Sequence, residues 1–491
     1  MNVNPITRLD YPDPDVIRVE DTYYMVSTTM HFMPGCEILQ SFDLVHWEHV
    51  TYVYETLDHT DAQQLKSGQN IYGQGMWAAS LRYHEGRFYI CFVANDTRKT
   101  YLYTSEKIDG PWKKQLIEGF YHDGSLLFDE DGRNYIVYGN DEIWITELNE
   151  DLTAPKKDGL HRLLVSDHKN PELGYEGSHI QKINGYYYIF LIHSLRDRWM
   201  RTEACFYSDS LEGEFTGGDV LCDDRGYCGQ GVAQGGIVDT PDGKWYAMLF
   251  QDSGAVGRIP ILLPVTWKDH FPFFGQNGHV PEEIEVHSTR PGYIYQPLVG
   301  SDDFCNGLLP RWQFNHDPDP RYYHLDALQG TYTITTREVC TELTQAVNTL
   351  TQRMSYPSCA AEVTVDASAL KEGDVAGLCA LQGCYAAVGI TKHHGKYEVL
   401  MLDKKEDGIL DMTEGTVVES HQMDFRLEAD FCNMKDEARC YYRVNKGDWL
   451  PIGTVHKLYF KLDHFTGCRF GLFCYAAEET GGSACFRDFK Y

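Results

Sequence analysis

Asn184-Gly185-Tyr186-Tyr187-Tyr188 leads into the apolar run Ile189-Phe190-Leu191-Ile192, and the same succession of turn, tyrosine and apolar strand recurs four more times. The other copies are Glu20-Asp21-Thr22-Tyr23-Tyr24, Glu85-Gly86-Arg87-Phe88-Tyr89, Asp131-Gly132-Arg133-Asn134-Tyr135 and Asp242-Gly243-Lys244-Trp245-Tyr246. Asx-Gly supplies the positive φ that tight hairpins need, so each copy reads as two antiparallel strands joined by a short turn. The final tyrosines are spaced by 65, 46, 53 and 58 residues, the length of one four-stranded blade with loops of varying size. Five copies predict a five-bladed β-propeller over residues 1–298. A weaker second mark, a Ser followed by a bulky aromatic, runs from Ser41 to Trp47, Ser105 to Trp112 and Ser208 to Phe215. It is expected on the outer strands of blades one, two and four.

Counting back from the hairpin tyrosines finds the candidate site. Twelve residues before Tyr89, Tyr135, Tyr188 and Tyr246 stand Trp77, Asp123, Glu176 and Gln234, and eleven before Tyr24 stands Asp13. The innermost strand of each blade starts near the propeller axis, so these equivalent positions converge. Carboxylates do acid and base work, while an aromatic face and an amide grip a sugar ring. Each residue has an ordinary reading as well. Asp10, Asp13 and Asp15 surround Pro12 and Pro14 as turn formers, Asp123 precedes Gly124, Glu176 suits a solvated loop and Trp77 a core. Three carboxylates in register at the one position that faces the axis favour a site.

Composition narrows the partners. The 491 residues are too many for one core, and the apolar fraction of 43% fits a folded, water-soluble chain. A formal charge of −29 repels phosphate backbones and anionic membranes, so no nucleic acid and no membrane partner is expected, whereas a neutral substrate meets no such repulsion. The N-terminus has neither a basic nor an apolar leader region, and a cytoplasmic location is the expectation. The 15 cysteines include no C-x-x-C pair, so they read as reduced and mostly buried, not as a disulfide framework or zinc site. A homo-oligomer stays open.

At the converging positions the sequence resembles glycoside hydrolase family 43, over about residues 4 to 280. Asn4-Pro5 with Tyr11-Pro12-Asp13-Pro14-Asp15-Val16 resembles the family's base-bearing strand. His122-Asp123-Gly124-Ser125 resembles its second-Asp segment, and Tyr175-Glu176-Gly177-Ser178-His179 its acid-bearing segment. The stretch Gly231 to Thr240 looks like the β-xylosidase and α-L-arabinofuranosidase branch. The resemblance implies Asp13 as general base, Glu176 as general acid and Asp123 as the residue that orients the acid and raises its pKa. An inverting pair of this kind stands about 6.5–9.5 Å apart. His179 is implied among the substrate contacts, and Arg258, in Gly257-Arg258-Ile259-Pro260, resembles an arginine that reaches the pocket. The loop Met30-His31-Phe32-Met33-Pro34-Gly35 resembles one that carries an aromatic wall, which makes Phe32 the wall. Family members often carry a blade-five His linked to an axial calcium ion. Gln234 stands at that place and is a poor calcium anchor by itself. No cofactor is expected to be required; a structural calcium is compatible with the family but not supported by this sequence.

After Gly300 the tyrosine repeat stops. Short alternating runs such as Gly330-Thr331-Tyr332-Thr333-Ile334-Thr335 and Arg469-Phe470-Gly471-Leu472-Phe473 then predict an antiparallel β-sandwich over residues 301–491. It resembles the C-terminal sandwich of the same branch; the alternative is an independent carbohydrate-binding module. Within it Asp463-His464-Phe465-Thr466-Gly467 resembles a segment that brings an aromatic side chain to the pocket rim, against the ordinary reading of Phe465 as core. The chain is thus expected to be all-β, a five-bladed propeller followed by a sandwich. Its expected activity is exo-acting, inverting release of terminal β-D-xylosyl or α-L-arabinofuranosyl units from plant-derived oligosaccharides. Xylosidase is the preferred specificity, although the two sugars differ by small changes of shape. A non-catalytic sugar-binding propeller would be expected to lose a carboxylate, and none of the three is missing. A retaining fructosidase-like propeller would carry Asn-Asp-Pro-Asn where this chain has Tyr11-Pro12-Asp13-Pro14-Asp15.

Overall fold

The five repeats fold into five four-stranded antiparallel sheets, described, like the rest of the chain, over residues 2–491 of a computed structural model. Their innermost strands are Asp15–Val19, Met76–His84, Ser125–Phe128, Glu176–Ile183 and Gly236–Asp239. Each turns back through one of the quoted turns into a second strand that carries the repeat tyrosine; in blade four, for instance, Ile183 pairs with Tyr186. The Ser-to-aromatic segments are not outer strands. They are the turns between third and fourth strands, where Ser41 Oγ accepts the Leu44 N–H at 2.8 Å and the Trp47 indole donates to the Leu44 carbonyl at 3.0 Å.

Apolar side chains fill every gap between neighbouring blades. Ile38, Leu81 and Phe92 join blades one and two; Leu102, Leu126 and Ile136 join two and three; Ile145, Ile180 and Ile189 join three and four. Phe190, Ile237 and Leu249 join four and five, and Tyr23, Val238 and Tyr246 close the ring from five back to one. Each such side chain contributes roughly 1.5–3 kcal/mol by leaving water. A short strand, Asn2–Val3, pairs with Glu283–Ile284 and ties the start of the ring to its end.

The segment after the fifth blade lies along blade one, where Arg290 bonds Asp21 at 2.8 Å and the Tyr295 hydroxyl accepts the Phe42 N–H at 2.8 Å. Two sheets of the sandwich follow. One runs Tyr323–Asp326, Thr331–Thr335, Ser483–Lys490, Ser358–Asp366, Gln422–Asp430, Glu437–Val444 and Leu450–Lys457. The other centres on Ala386–His393, Val375–Leu381, Arg469–Tyr475 and Leu350–Arg353, and ends on two residues of blade one, Phe32–Met33, which pair with Gln313–Asn315. Ala255, Val256 and Ile259 of blade five belong to the sandwich core. Propeller and sandwich therefore share both a sheet and a core.

Among the described residues the helical turns are short 3-10 pieces, and no helix is long and apolar enough to cross a membrane. The cysteines are free, but Cys222, Cys228, Cys305 and Cys432 are exposed, so burial is less general than the composition suggested.

Candidate active site

The register read from the tyrosines places its five residues at the mouths of the inner strands. Glu176 begins its strand and Trp77 is second in its own, while Asp13, Asp123 and Gln234 each stand two residues before theirs. Asp13 and Asp123 both adopt left-handed backbone, at φ 52° and 47°, which residues other than glycine seldom do. The turn aims each carboxylate across the mouth instead of along the strand.

Asp13 is buried and accepts two hydrogen bonds. Arg258 Nη1 donates to Oδ1 at 2.9 Å and the Thr28 hydroxyl donates to Oδ2 at 2.6 Å. Arg258 is itself fixed by Asp10, whose Oδ1 accepts the Arg258 backbone N–H at 2.8 Å. The other oxygen of Asp10 accepts the Gly467 N–H at 2.7 Å. One carboxylate thus clamps a blade-five arginine and a sandwich loop together, a role that a reading of Asp10 as a turn former does not supply.

Asp123 accepts the Gly177 N–H at 3.0 Å, directly beside Glu176. Glu176 Oε2 accepts from Asn140 Nδ2 at 2.6 Å and lies 3.5 Å from His122 Nε2, which is 3.6 Å from Asp123 Oδ2. Burial pushes the Asp123 carboxyl up to about 6, opposed by His122 and reinforced by the charges of Glu176 and Asp13. Burial works against the His122 cation, but Asp123, Glu176 and Asp13 outweigh it and hold the imidazole up to about 9. Sequence reading passed over His122 and Asn140. The first sits in the quoted second-Asp segment; the second carries no motif and is brought in by the end of the neighbouring strand.

The remaining predicted residues divide. Gln234 packs on Gly177 so tightly that a Cβ there would come within 2.2 Å of its amide carbon, which with φ +66° explains a glycine after Glu176. Trp77 lies between His122 and Phe465, with ring centroids 5.8 and 5.6 Å away, and its buried indole N–H has no partner. Phe465 arrives from the sandwich: its ring lies 4.2 Å from the Arg258 guanidinium carbon. Two residues sit elsewhere. His179 Nδ1 bonds Asp15 Oδ1 at 3.1 Å inside the axis, where Arg82 and the Leu81 N–H hold the other oxygen at 2.8 and 2.7 Å. Phe32 is no pocket wall. It is 2% exposed, lies on the sandwich sheet edge and has the Arg469 guanidinium 3.4 Å over its ring, because its backbone was recruited into that sheet.

Neither place for a metal suits one. On the axis, Asp15 is paired with Arg82, its Oδ2 accepts from Arg82 and the Leu81 N–H and its Oδ1 faces His179, so a single carboxylate whose charge is already balanced is a poor calcium anchor. Among the described residues, His122, Asp123 and Glu176 alone offer ligand atoms within 4.8 Å of one another. There the Asn140 amide donates to Glu176 Oε2, and an imidazole held cationic has no lone pair to give a metal.

A family model described as glycosyl hydrolases family 43 matches residues 3–272, and one described as a beta xylosidase C-terminal concanavalin A-like domain matches residues 301–491. A protein of Formosa agariphila named beta-xylosidase is 27% identical over 541 residues, covering 98% of this chain and 88% of that protein. A protein of Bacteroides ovatus named non-reducing end alpha-L-arabinofuranosidase is 25% identical over 67% of this chain and 63% of its own. A solved structure described as a bifunctional GH43-CE of Bacteroides eggerthii is 42% identical with a TM-score of 0.93. That match covers 100% of this chain and spans 63% of the longer one.

Proposed function

The chain belongs to glycosyl hydrolases family 43, and from that premise we propose that it releases terminal β-D-xylosyl or α-L-arabinofuranosyl units from the non-reducing ends of plant-derived oligosaccharides, with inversion. The observation that carries this reading is the meeting of Asp13, Asp123 and Glu176 from blades one, three and four beneath a sandwich loop. Relatives named for xylosidase and for arabinofuranosidase both support the pentose class. The packing of Trp77 on Phe465 beside the carboxylates, with ring centroids 5.6 Å apart, supports a site closed at one end, which suits a chain end better than a chain middle.

In this reading Asp13 takes a proton from water as the water oxygen attacks the anomeric carbon. The glycosidic C–O bond breaks on the opposite face, and Glu176 gives its proton to the leaving oxygen. Thr28 and Arg258 each use one lone pair of an Asp13 oxygen, and each oxygen keeps another for the water. Arg258 also orients the base through its own hold on Asp10.

The test is proton NMR of the fresh product from nitrophenyl pentosides. Inverted anomeric configuration is expected, and retained configuration would overturn the mechanism. Asp13→Asn and Glu176→Gln should each lower kcat on xylobiose by at least about a thousandfold, near the upper range of general acid–base contributions, with the fold intact by circular dichroism.

A further inference from the structure

His122 belongs to no part of the mechanism above, yet its imidazole lies 3.5 Å from one proposed catalytic carboxylate and 3.6 Å from another. The geometry points to His122 as a positioning residue for the acid: an imidazolium between Asp123 and Glu176 that, together with Asn140, occupies Glu176 Oε2 and leaves Oε1 to carry the transferable proton. This deepens the reading of Glu176 as general acid and rests on it.

The contacts are one-sided. Both donors near Glu176, Asn140 Nδ2 and His122 Nε2, address the same oxygen. A protonated carboxyl whose Oε2 accepts from two donors holds its hydrogen on Oε1. In the chemical step the Oε1–H bond breaks, a bond from that hydrogen to the leaving oxygen forms, and the glycosidic electron pair goes to that oxygen. His122 keeps its proton throughout. The charges that face it are Asp123 on its own segment, Glu176 from blade four and Asp13 from blade one, the last paired with Arg258. Trp77 covers it from blade two without charge. An imidazolium here also offsets the repulsion between Asp123 and the Glu176 carboxylate left after each turnover, which the two carboxylates alone would otherwise concentrate in one place.

The decisive variant is His122→Gln, which keeps an N–H donor and loses the charge. It is assayed on xylobiose, whose leaving group needs a proton, and on a 2,4-dinitrophenyl pentoside, whose leaving group does not. We expect a loss of about 100-fold on xylobiose and under about tenfold on the activated substrate, the difference being of the size that general acid catalysis contributes. The alkaline limb of kcat/KM should move upward by about one pH unit, because removing a cation disfavours the ionised acid. Equal losses on both substrates with an unmoved limb would mean a structural role only and overturn the proposal. A second measurement needs no variant fold: histidine-selective NMR of the unsubstituted protein should find His122 cationic at pH 7, and a neutral ring there overturns it too. Glu176→Gln run in parallel separates the two failures, since continued xylobiose cleavage by that variant would defeat the acid assignment itself.

Discussion

At Asp123, burial and charge act on one carboxyl from several sides. It is pushed up to about 6, so above that pH it is an anion beside Glu176, with His122 between them. Asp123→Asn removes the anion and leaves the cation uncompensated. The alkaline limb of kcat/KM should then move downward, opposite to the shift expected for His122→Gln, and an unmoved limb in an active variant would deny Asp123 this electrostatic part. The three carboxylates were legible in the sequence because a repeat converts linear spacing into radial position. Asp10 was not, since a clamp between blade five and a loop more than 450 residues away leaves no local pattern. His122 was visible as a letter but not as a charge partner, because its neighbour Glu176 comes from a different blade.

Among elements, the loop that carries Phe465 does most to shape the site. Gly467 is held by Asp10, Phe465 has a left-handed φ of 54°, and its carbonyl lies 3.4 Å from Arg258 Nη2. A loop fastened this way lies against Trp77 and against Arg258, the partner of Asp13, without belonging to the propeller. Phe465→Ala should raise KM for xylobiose about tenfold, the cost of one aromatic contact, with a smaller effect on kcat; wild-type kinetics would reject a lid. Asp10→Asn loosens the loop and Arg258 together, so it should raise KM in the same direction and also lower kcat, because Arg258 holds the base. The opposite outcome at Phe32 shows how a motif misleads. An aromatic in a loop after a hairpin reads as a wall until its backbone adds to the edge of another sheet, a pairing that depends on Gln313–Asn315 and on nothing within the loop.

For the whole molecule, the fold class followed from two periodicities, the blade repeat and the alternation after residue 300, but the shared sheet and shared core between the two parts did not. That junction buries three histidines: His31 from blade one, and His316 and His464 from the sandwich. His31 lies 4.9 Å from His316 and 5.9 Å from His464 between ring centroids, Tyr72 stacks on His464 at 4.0 Å, and His316 Nε2 accepts the Ile71 N–H at 2.9 Å. Both nitrogens of His31 and of His464 lack partners. Burial holds all three rings neutral: His31 and His316 fall well below the usual imidazole range, and His464 down to about 4 despite Asp463.

A buried base of depressed pKa binds its proton more weakly in the folded state than in the unfolded one. Its contribution to stability is therefore complete above the unfolded value of about 6.5 and is lost as pH falls below it. Buried carboxyls run the other way, for Asp123, Asp374 and Asp436 are each pushed up to about 6 and favour the folded state as pH falls from there. The histidine contribution must accordingly be read as a difference between proteins. His31→Leu removes one neutral ring that the fold cannot protonate and fills its space with a side chain of similar size. Relative to the unsubstituted protein, its unfolding free energy should improve by up to about 2–3 kcal/mol between pH 7 and 4.5, the linkage value of one proton over two pH units. Denaturant unfolding of both proteins at several pH values in that interval measures the difference directly. A gap that stays constant from pH 7 to 4.5 would show that His31 is not a neutral ring held against protonation, and the junction would owe its acid sensitivity to other groups.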